Sequence, residues 1–347
     1  MLSESLMKVE KTIKAKILEL RRGKEELLKR EYENFQRYLH GDKSVPLYSA
    51  TRQQAERLLR RLKGKLKPNK EYPMILRRDV YRADTKLTPY WLKIPIYGVR
   101  GGINVPIKTH EPITDDMVCR EAKIIRRKDK WFVYITVERE VEERNHNKSV
   151  LAVDLGIRWI ATTVNSNNPK PKFYGKELRR IKGHYFHLRR SLALKKAYKT
   201  IKKIGHKERR VVNDILHKIS RAIVNEALEN DSMIVLGKLK GIRRDGKGRR
   251  FSRKLNNGFP YHRLSKFIEY KARWLGIKVI KVSERNTSKT CHRCGHIGLR
   301  VGSLFKCPKC GYTCNADCNG AMNILKRAMG YMPMAGAALT QPFNSVG

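Results

Sequence analysis

The sequence predicts two differently built halves: a β-rich half carrying a helical insert, then an α/β layered half interrupted by a metal-binding ribbon. Three observations predict this. Between residues 73 and 145, short segments alternate apolar and polar side chains with the period of strands. Beyond residue 148, buried-looking strand runs alternate with long helical patterns, the signature of an α/β layered domain. Near the C-terminus Cys291, Cys294, Cys307 and Cys310 are spaced C-x2-C-x12-C-x2-C.

Residues 8–18 (KVEKTIKAKIL) alternate as a strand does. Gly23 is expected to break the chain before a helix on which Leu28, Tyr32, Phe35 and Leu39 recur on one face. After HGDKSVP a second helix starts near Ser49 or Thr51, with Ala55, Leu58, Leu59 and Leu62 on one face and Gly64 near its end. YWLKIPIYG, GINVPIK and KWFVYITVERE then read as strands, Trp131, Val133, Ile135 and Val137 sharing a face. Residues 1–20 and 73–147 thus make a small barrel or sheet, and 21–72 the helical insert. RNHNK (144–148) is a polar joint. Beyond it come strands at VLAVDLGI, WIATTVNS and KFYG, a long helical region over 177–230, a fourth strand at MIVLG, a helix at HRLSKFIEYKARWLG, a fifth strand at IKVIKVSE and a last helix from Asp317 to Met329. Three strands, helix, strand, helix, strand, helix is the RNase H-like order. That α/β domain takes residues 148–286 and 314–330, with the ribbon, 287–313, inserted; 331–347 reads as a disordered tail.

Composition narrows the partners. The 347 residues carry 77 Lys+Arg against 32 Asp+Glu, a formal charge of +45. Such an excess repels itself unless a polyanion neutralises it. A hydrophobic content of 40% with clear periodicity excludes a disordered basic chain. No amphipathic anchor or lipidation signal points to a membrane surface, no apolar run approaches the roughly 18 residues needed to span one, and no signal-type apolar segment opens the chain. Extended nucleic acid is the fitting partner. Four of the seven cysteines fall in the paired C-x2-C spacing, which reads as zinc in a reducing compartment rather than a disulfide framework.

In the ribbon, two tight C-x2-C turns point four thiolates at one tetrahedral centre, which leaves no open position and marks the zinc as structural. His292 and His296 read as solvated neighbours, and Cys314 and Cys318 as small buried side chains. Hydrolysis of a phosphodiester by paired divalent metals needs acidic side chains that hold both ions. Asp154 ends the first strand of the second half with Gly156 two residues on, and Asp317 opens the last helix. Either alone is weak: a strand-ending Asp is common, and an Asp at a helix start is commonly its cap. Together, on the matching elements of one fold, they suggest a nuclease centre. The fourth strand ends at Leu236–Gly237, where that fold places a Glu. Glu284, at the end of a fifth strand expected beside and parallel to the fourth, can supply the acid; Glu269, inside the intervening helix, reads better as a surface charge. Residues 178–210 hold thirteen Lys/Arg against Glu208 alone, and 240–254 hold eight against Asp245 alone. So one-sided a bias fits phosphate contact better than ion pairing. Tyr185, Phe186, Tyr198 and Phe251 could stack on bases, although core packing is the ordinary use of such residues.

SVLAVDLGI, NDILHKISRAIVNEAL, MIVLGKLKGIR, FIEYKARWLGIKVIKVSERNTSKTCHRCG and KCPKCGYTCNADCNGAMNIL, spanning about 148–330, together resemble the TnpB family, transposon-encoded relatives of the type V CRISPR nucleases. The first half, matching less sharply, looks like that family's β-rich wedge domain carrying a helical recognition insert. The resemblance implies an α/β RNase H-like (RuvC) nuclease domain with an inserted zinc ribbon. It implies an RNA-guided DNA endonuclease of a mobile element, using structural Zn2+, catalytic Mg2+ and a guide RNA from the transposon end. The target would be double-stranded DNA beside a short flanking motif, with pairing reading the sequence. Such a protein would work as a monomer or dimer in a prokaryotic cytoplasm, at the nucleoid. By position Asp154 and Asp317 match the first and third catalytic acids; Gly237 stands where the second is expected. That departure admits Glu284 as a replacement, or a nuclease-dead RNA-guided DNA binder; a DDE-type transposase fits the ribbon's position poorly.

Overall fold

A computed structural model describes residues 6–68, 70–144, 148–238, 259–284 and 286–330. The basic segment 240–254 with Phe251, most of the 144–148 joint and the 331–347 tail lie outside the described residues. The chain divides into two compact units between Glu142 and Glu143. The division precedes the polar joint because Glu143 and Arg144 already belong to the second unit: Lys278 pairs with Glu143 at 3.7 Å, and the Arg144 N–H donates to the Gly276 carbonyl at 2.9 Å.

The first unit contains β1 (Leu6–Ile17), α1 (Arg22–Leu39), α2 (Ser49–Arg61), β2 (Met74–Leu76), β3 (Arg82–Asp84), β4 (Tyr90–Ile96), β5 (Val99–Thr109), β6 (Val118–Arg127) and β7 (Lys130–Glu142). The strands form one antiparallel sheet, ordered β2-β6-β7-β1-β5-β4-β3. Trp131, Val133, Ile135 and Val137 alternate into its core as the strand period requires. Gly23 lies inside the first turn of α1 and breaks nothing, since a glycine there interrupts no established hydrogen bond. The predicted helix face, Leu28, Tyr32, Phe35 and Leu39, is buried, and Tyr32 meets Trp131 edge-on at 5.2 Å. Glu31, also buried, accepts the backbone N–H groups of Tyr48 and Tyr97 at 2.9 and 3.0 Å, tying the insert to the β4–β5 turn.

The second unit contains β8 (Ser149–Asp154), β9 (Ala161–Asn165), β10 (Lys172–Tyr174), α3 (Glu177–Leu194), α4 (Tyr198–Glu229), β11 (Ser232–Lys238), α5 (Tyr261–Trp274), β12 (Val279–Ser283), a ribbon of β13 (Leu299–Val301), β14 (Leu304–Lys306) and β15 (Thr313–Asn315), and α6 (Ala316–Met329). The main sheet is ordered β10-β9-β8-β11-β12, with β8, β11 and β12 parallel. Helical residues 177–230 form two helices. The break falls at 195–197, where Lys196 takes φ 53°, and not at Gly183 or Gly205, which both continue their helices. The ribbon sheet runs on to Asn315, past the expected end at 313.

Strand parity sorts the sheet's two faces. Leu151, Val153, Ile234 and Leu236 pack on one side with α3, α4 and α5. Val150, Ala152, Met233, Val235 and Val282 pack on the other with Ala321, Ile324, Leu325 and Ala328 of α6. Side chains alternate along a strand with period two, and that period assigns the strand ends as well. Asp154 continues the 150–152 series, Gly237 the 233–235 series and Glu284 the 280–282 series. All three therefore belong to the α6 face, at the C-terminal ends of three adjacent strands, the edge where parallel α/β sheets place their ligands.

Candidate active site

Register brings Gly237 between the two acids. Leu236 pairs with Val153 on one side, so Gly237 stands level with Asp154; on the other, Gly237 pairs with Val282, two residues before Glu284. A Cβ built on Gly237 would fall within the van der Waals volume of Glu284 Oε1, Cδ and Cγ. The Glu284 carboxylate thus lies in the space that a side chain at 237 would take. Gly237 is in the ordinary strand conformation, so this steric need, and not backbone freedom, is what the glycine answers.

Helix α6 closes the site. The Asn315 side chain caps it, accepting the Asp317 N–H at 2.9 Å. Asp317 is therefore not its own helix's cap, and its carboxylate is left for other use. A Cβ on Gly320 would lie 2.9 Å from Asp154 Oδ2, so that glycine gives the acid room, whereas one on Gly156 would crowd the Trp159 carbonyl oxygen at 2.9 Å and meet Asp317 Oδ1 only at 3.6 Å. Arg300, from β13 of the ribbon, donates to Asp317 Oδ1 at 3.0 Å. The structure thus brings together Asp154, Glu284 and Asp317. It keeps Glu269 out: that side chain, on α5, accepts from Ser265 at 2.6 Å and pairs with Lys281 of β12 at 2.8 Å, on the other face of the sheet.

The electrostatics are those of acids crowded without enough positive charge. Burial, then the charge of Asp317, pushes Asp154 up to about 7, against a smaller pull from Arg300. Burial, then Asp154, pushes Glu284 up to about 8. Tyr261, buried in the first turn of α5, is also raised, by burial and then by Asp154, Glu284 and Asp317 in turn. Glu284 Oε1 and Asp317 Oδ2 are buried with no hydrogen-bond partner. Uncompensated carboxylate oxygens of this kind fit divalent cations, which take oxygen ligands and reverse the repulsion.

The four ribbon thiols also fit a metal. Their Sγ atoms all lie within 4.8 Å of one another. Cys291–Cys310 and Cys294–Cys307 are 3.7 and 3.5 Å apart, against an edge of about 3.8 Å for a tetrahedron with zinc–sulfur bonds near 2.3 Å. Backbone N–H donation from Cys310 leads the effects that pull Cys307 down to about 7, which favours the thiolate a metal needs. His296 is exposed, but His292 is buried, contrary to the solvated role expected for it. Its backbone N–H donates to Asn319 Oδ1 at 3.0 Å and its ring stands edge-on to Tyr312 at 4.7 Å, because α6 packs against the knuckle. Asn319 and Asn323 donate to the Thr290 carbonyl at 2.8 and 2.7 Å. Asn319 and Asn323 thus clamp α6 to the ribbon.

Arg300, Tyr261, Gly320 and this asparagine clamp went unread in the sequence. Only the glycine and asparagines left a signal, in NADCNGAMN; Arg300 sits in a hairpin whose fold the cysteine spacing does not specify. Tyr185 is buried, as core packing would have it, whereas Tyr198 is 68% exposed.

Two family models match in succession: "Probable transposase" over residues 133–241, and "Cas12f1-like, TNB domain" over 261–324, which spans α5, the ribbon and α6. A TnpB-like protein of Methanocaldococcus jannaschii is 33% identical over 161 residues, 44% of this chain and 58% of that one. The chain resembles the TnpB family over its second half. The CRISPR-associated endodeoxyribonuclease Cas12f1 of Sulfoacidibacillus thermotolerans is 34% identical over 219 residues, 57% of this chain and 50% of that protein. The chain thus spans little more than half the length of these curated relatives. A cryo-EM structure of a Cas12f1–sgRNA–target DNA complex shares the fold of this chain with TM-score 0.57 at 15% identity, over 87% of this chain and 80% of that one. No helix among the described residues is long and apolar enough to cross a membrane.

The geometry makes two outcomes measurable. Asp154 and Glu284 hold protons more tightly folded than unfolded, so in chelator their contribution to stability is full below the ordinary carboxylate range near pH 4 and is lost as pH rises through 7 to 8. The melting temperature in EDTA should fall over that span, more than in an Asp154→Asn/Glu284→Gln variant, measured by scanning calorimetry. Cys307→Ser should release zinc and unfold the ribbon, since structural zinc supplies on the order of 10 kcal/mol to such sites; elemental analysis after gel filtration checks it.

Proposed function

We propose that this protein is an RNA-guided DNA endonuclease of a mobile element, cutting phosphodiesters at Asp154, Glu284 and Asp317 with Mg2+. The observation that carries the proposal is the Glu284 carboxylate lying over Gly237 beside Asp154. It answers the one departure that favoured a nuclease-dead binder: the acid absent from β11 is supplied by the end of β12. Resemblance to the TnpB family supports the reaction class, because a relative is an endodeoxyribonuclease, and the cryo-EM neighbour is a complex with sgRNA and target DNA.

Each residue has a distinct task in this reading. Asp154, Glu284 and Asp317 hold divalent cations, which when bound polarise the phosphate and lower the pKa of the attacking water. Gly237 and Gly320 keep space for two of those carboxylates, and Asn315 fixes Asp317 at the start of α6. Arg300, which donates to Asp317 and is 39% exposed, would be within reach to offer the scissile phosphate a guanidinium. The ribbon, held by zinc and clamped by Asn319 and Asn323, places Arg300. The basic faces of α3 and α4 carry nucleic-acid backbone, while guide pairing reads the sequence.

The test purifies the protein with RNA expressed from its own locus and challenges it with matched DNA bearing a randomised flank. Cleavage is expected in Mg2+ and not in EDTA, at one enriched flank. Glu284→Gln should bring cleavage to background with guide-dependent DNA binding within about twofold of wild type. Undiminished cutting by that variant removes Glu284 from the mechanism, and guided binding without cutting by the wild type makes the protein a binder.

A further inference from the structure

A cleft of about 620 Å3 opens between α3, α4 and the first turns of α5. Lys182, Arg209, His262, Arg263 and Lys266 line it, and Glu208 is its one acidic lining residue. That acid is already engaged: Lys182 pairs with it at 2.9 Å, and Arg189 pairs with its other oxygen. Arg263 donates to Asn213 at 2.7 Å, whereas Arg209, His262 and Lys266 are exposed and find no partner among the described residues. Cations converging on a concave site with no counter-charge left to them mark a place for an anion.

Gly205 supplies an independent observation. It lines the same cleft from the interior of α4, a 32-residue helix. A glycine there costs about 0.5–1 kcal/mol against alanine. Among the described residues nothing offsets that: its φ is not positive, and a Cβ built on it would meet no atom of theirs within 4 Å. A bare helix surface facing unpaired cations fits an outside ligand that approaches the backbone closely.

We infer that this cleft seats the phosphate backbone of the DNA strand being delivered to Asp154, Glu284 and Asp317, an assignment that rests on the nuclease reading above. The first turn of α5 links the two places. Pro260 and His262 line the cleft, while Tyr261 between them is buried in the field of the three catalytic carboxylates. A strand bound along the cleft therefore runs past the first turn of α5, where Tyr261 is near enough to the three acids for their charge to act on it. A guide RNA could offer the same phosphates, and only the position beside the cutting site favours the DNA strand.

The test uses the full chain with its guide RNA, in EDTA, and a fluorescein-labelled eight-nucleotide oligo(dT) read by anisotropy. Two variants alter the cleft differently: Arg209→Glu/Lys266→Glu reverses charge, and Gly205→Leu fills space while strengthening the helix. Lys128→Glu/Lys130→Glu, in the exposed β6–β7 turn, controls for net charge. The cleft variants should bind the oligonucleotide about tenfold more weakly than the control, and the charge variant should flatten the log–log salt slope by about 1.4, the value for two lost single-strand phosphate contacts. Guide-RNA affinity should match the control. Oligonucleotide affinity equal to the control overturns the site, and lost guide-RNA affinity with oligonucleotide binding intact overturns its assignment to DNA. If the wild type never cuts matched DNA but the cleft variants still lose the oligonucleotide, the strand site stands and the nuclease reading falls.

Discussion

The carboxylate of Glu284 rests over the bare backbone of Gly237, and the arrangement of the whole acidic edge depends on that fit. Three parallel strands end side by side, each presenting one residue of the same parity to the face covered by α6. The middle strand contributes no side chain, and the outer strand leans in to fill the vacancy. Either partner alone is a poor design. A side chain at 237 would collide with Glu284, and Glu284 over an alanine would have to turn away. Held together they put a second buried carboxylate beside Asp154; burial first, and then a neighbouring acid, Asp317 for Asp154 and Asp154 for Glu284, pushes the two up to about 7 and 8. Structure alone gains nothing from such crowding; cation binding reverses its sign.

The ribbon is part of the same construction. Its knuckle is pinned to α6 by Asn319 and Asn323, and its β13 hairpin reaches back with Arg300 to Asp317. The four-thiol knuckle of Cys291, Cys294, Cys307 and Cys310, which fits a zinc ion, therefore helps set the position of the Arg300 guanidinium at the acid cluster. In the absence of other positive charge, Arg300 partly offsets Asp317, and its 39% exposed side chain leaves it free to turn to a substrate.

Much of this was legible in the sequence, for identifiable reasons. Strongly patterned elements declared themselves: VLAVDLGI and MIVLG are continuous apolar runs because both faces of their strands are covered. Parallel pairing of β11 and β12 came from the fold order, and so did Glu284 as the candidate acid. What failed to show was set by tertiary packing. Gly23 looked like a break, yet a helix tolerates one glycine at modest cost, and the break within 177–230 fell at Lys196, which carries no glycine or proline signal. His292 looked solvated because nothing local announces that α6 will cover it. Arg300 was invisible since its hairpin is ordered by cysteines on either side of a loop with no periodicity of its own.

Manganese binding reports most directly on whether these three acids form one cation site. Mn2+ can be titrated into the zinc-loaded protein, without guide or DNA, and followed by electron paramagnetic resonance of the free ion. A site built from Asp154, Glu284 and Asp317 predicts saturable binding that weakens by about tenfold or more in Gly237→Ala, whose methyl group displaces the Glu284 carboxylate while leaving all three acids in the chain. Binding by Gly237→Ala indistinguishable from wild type would contradict it, and would mean that Glu284 fills a gap in the sheet edge without holding metal.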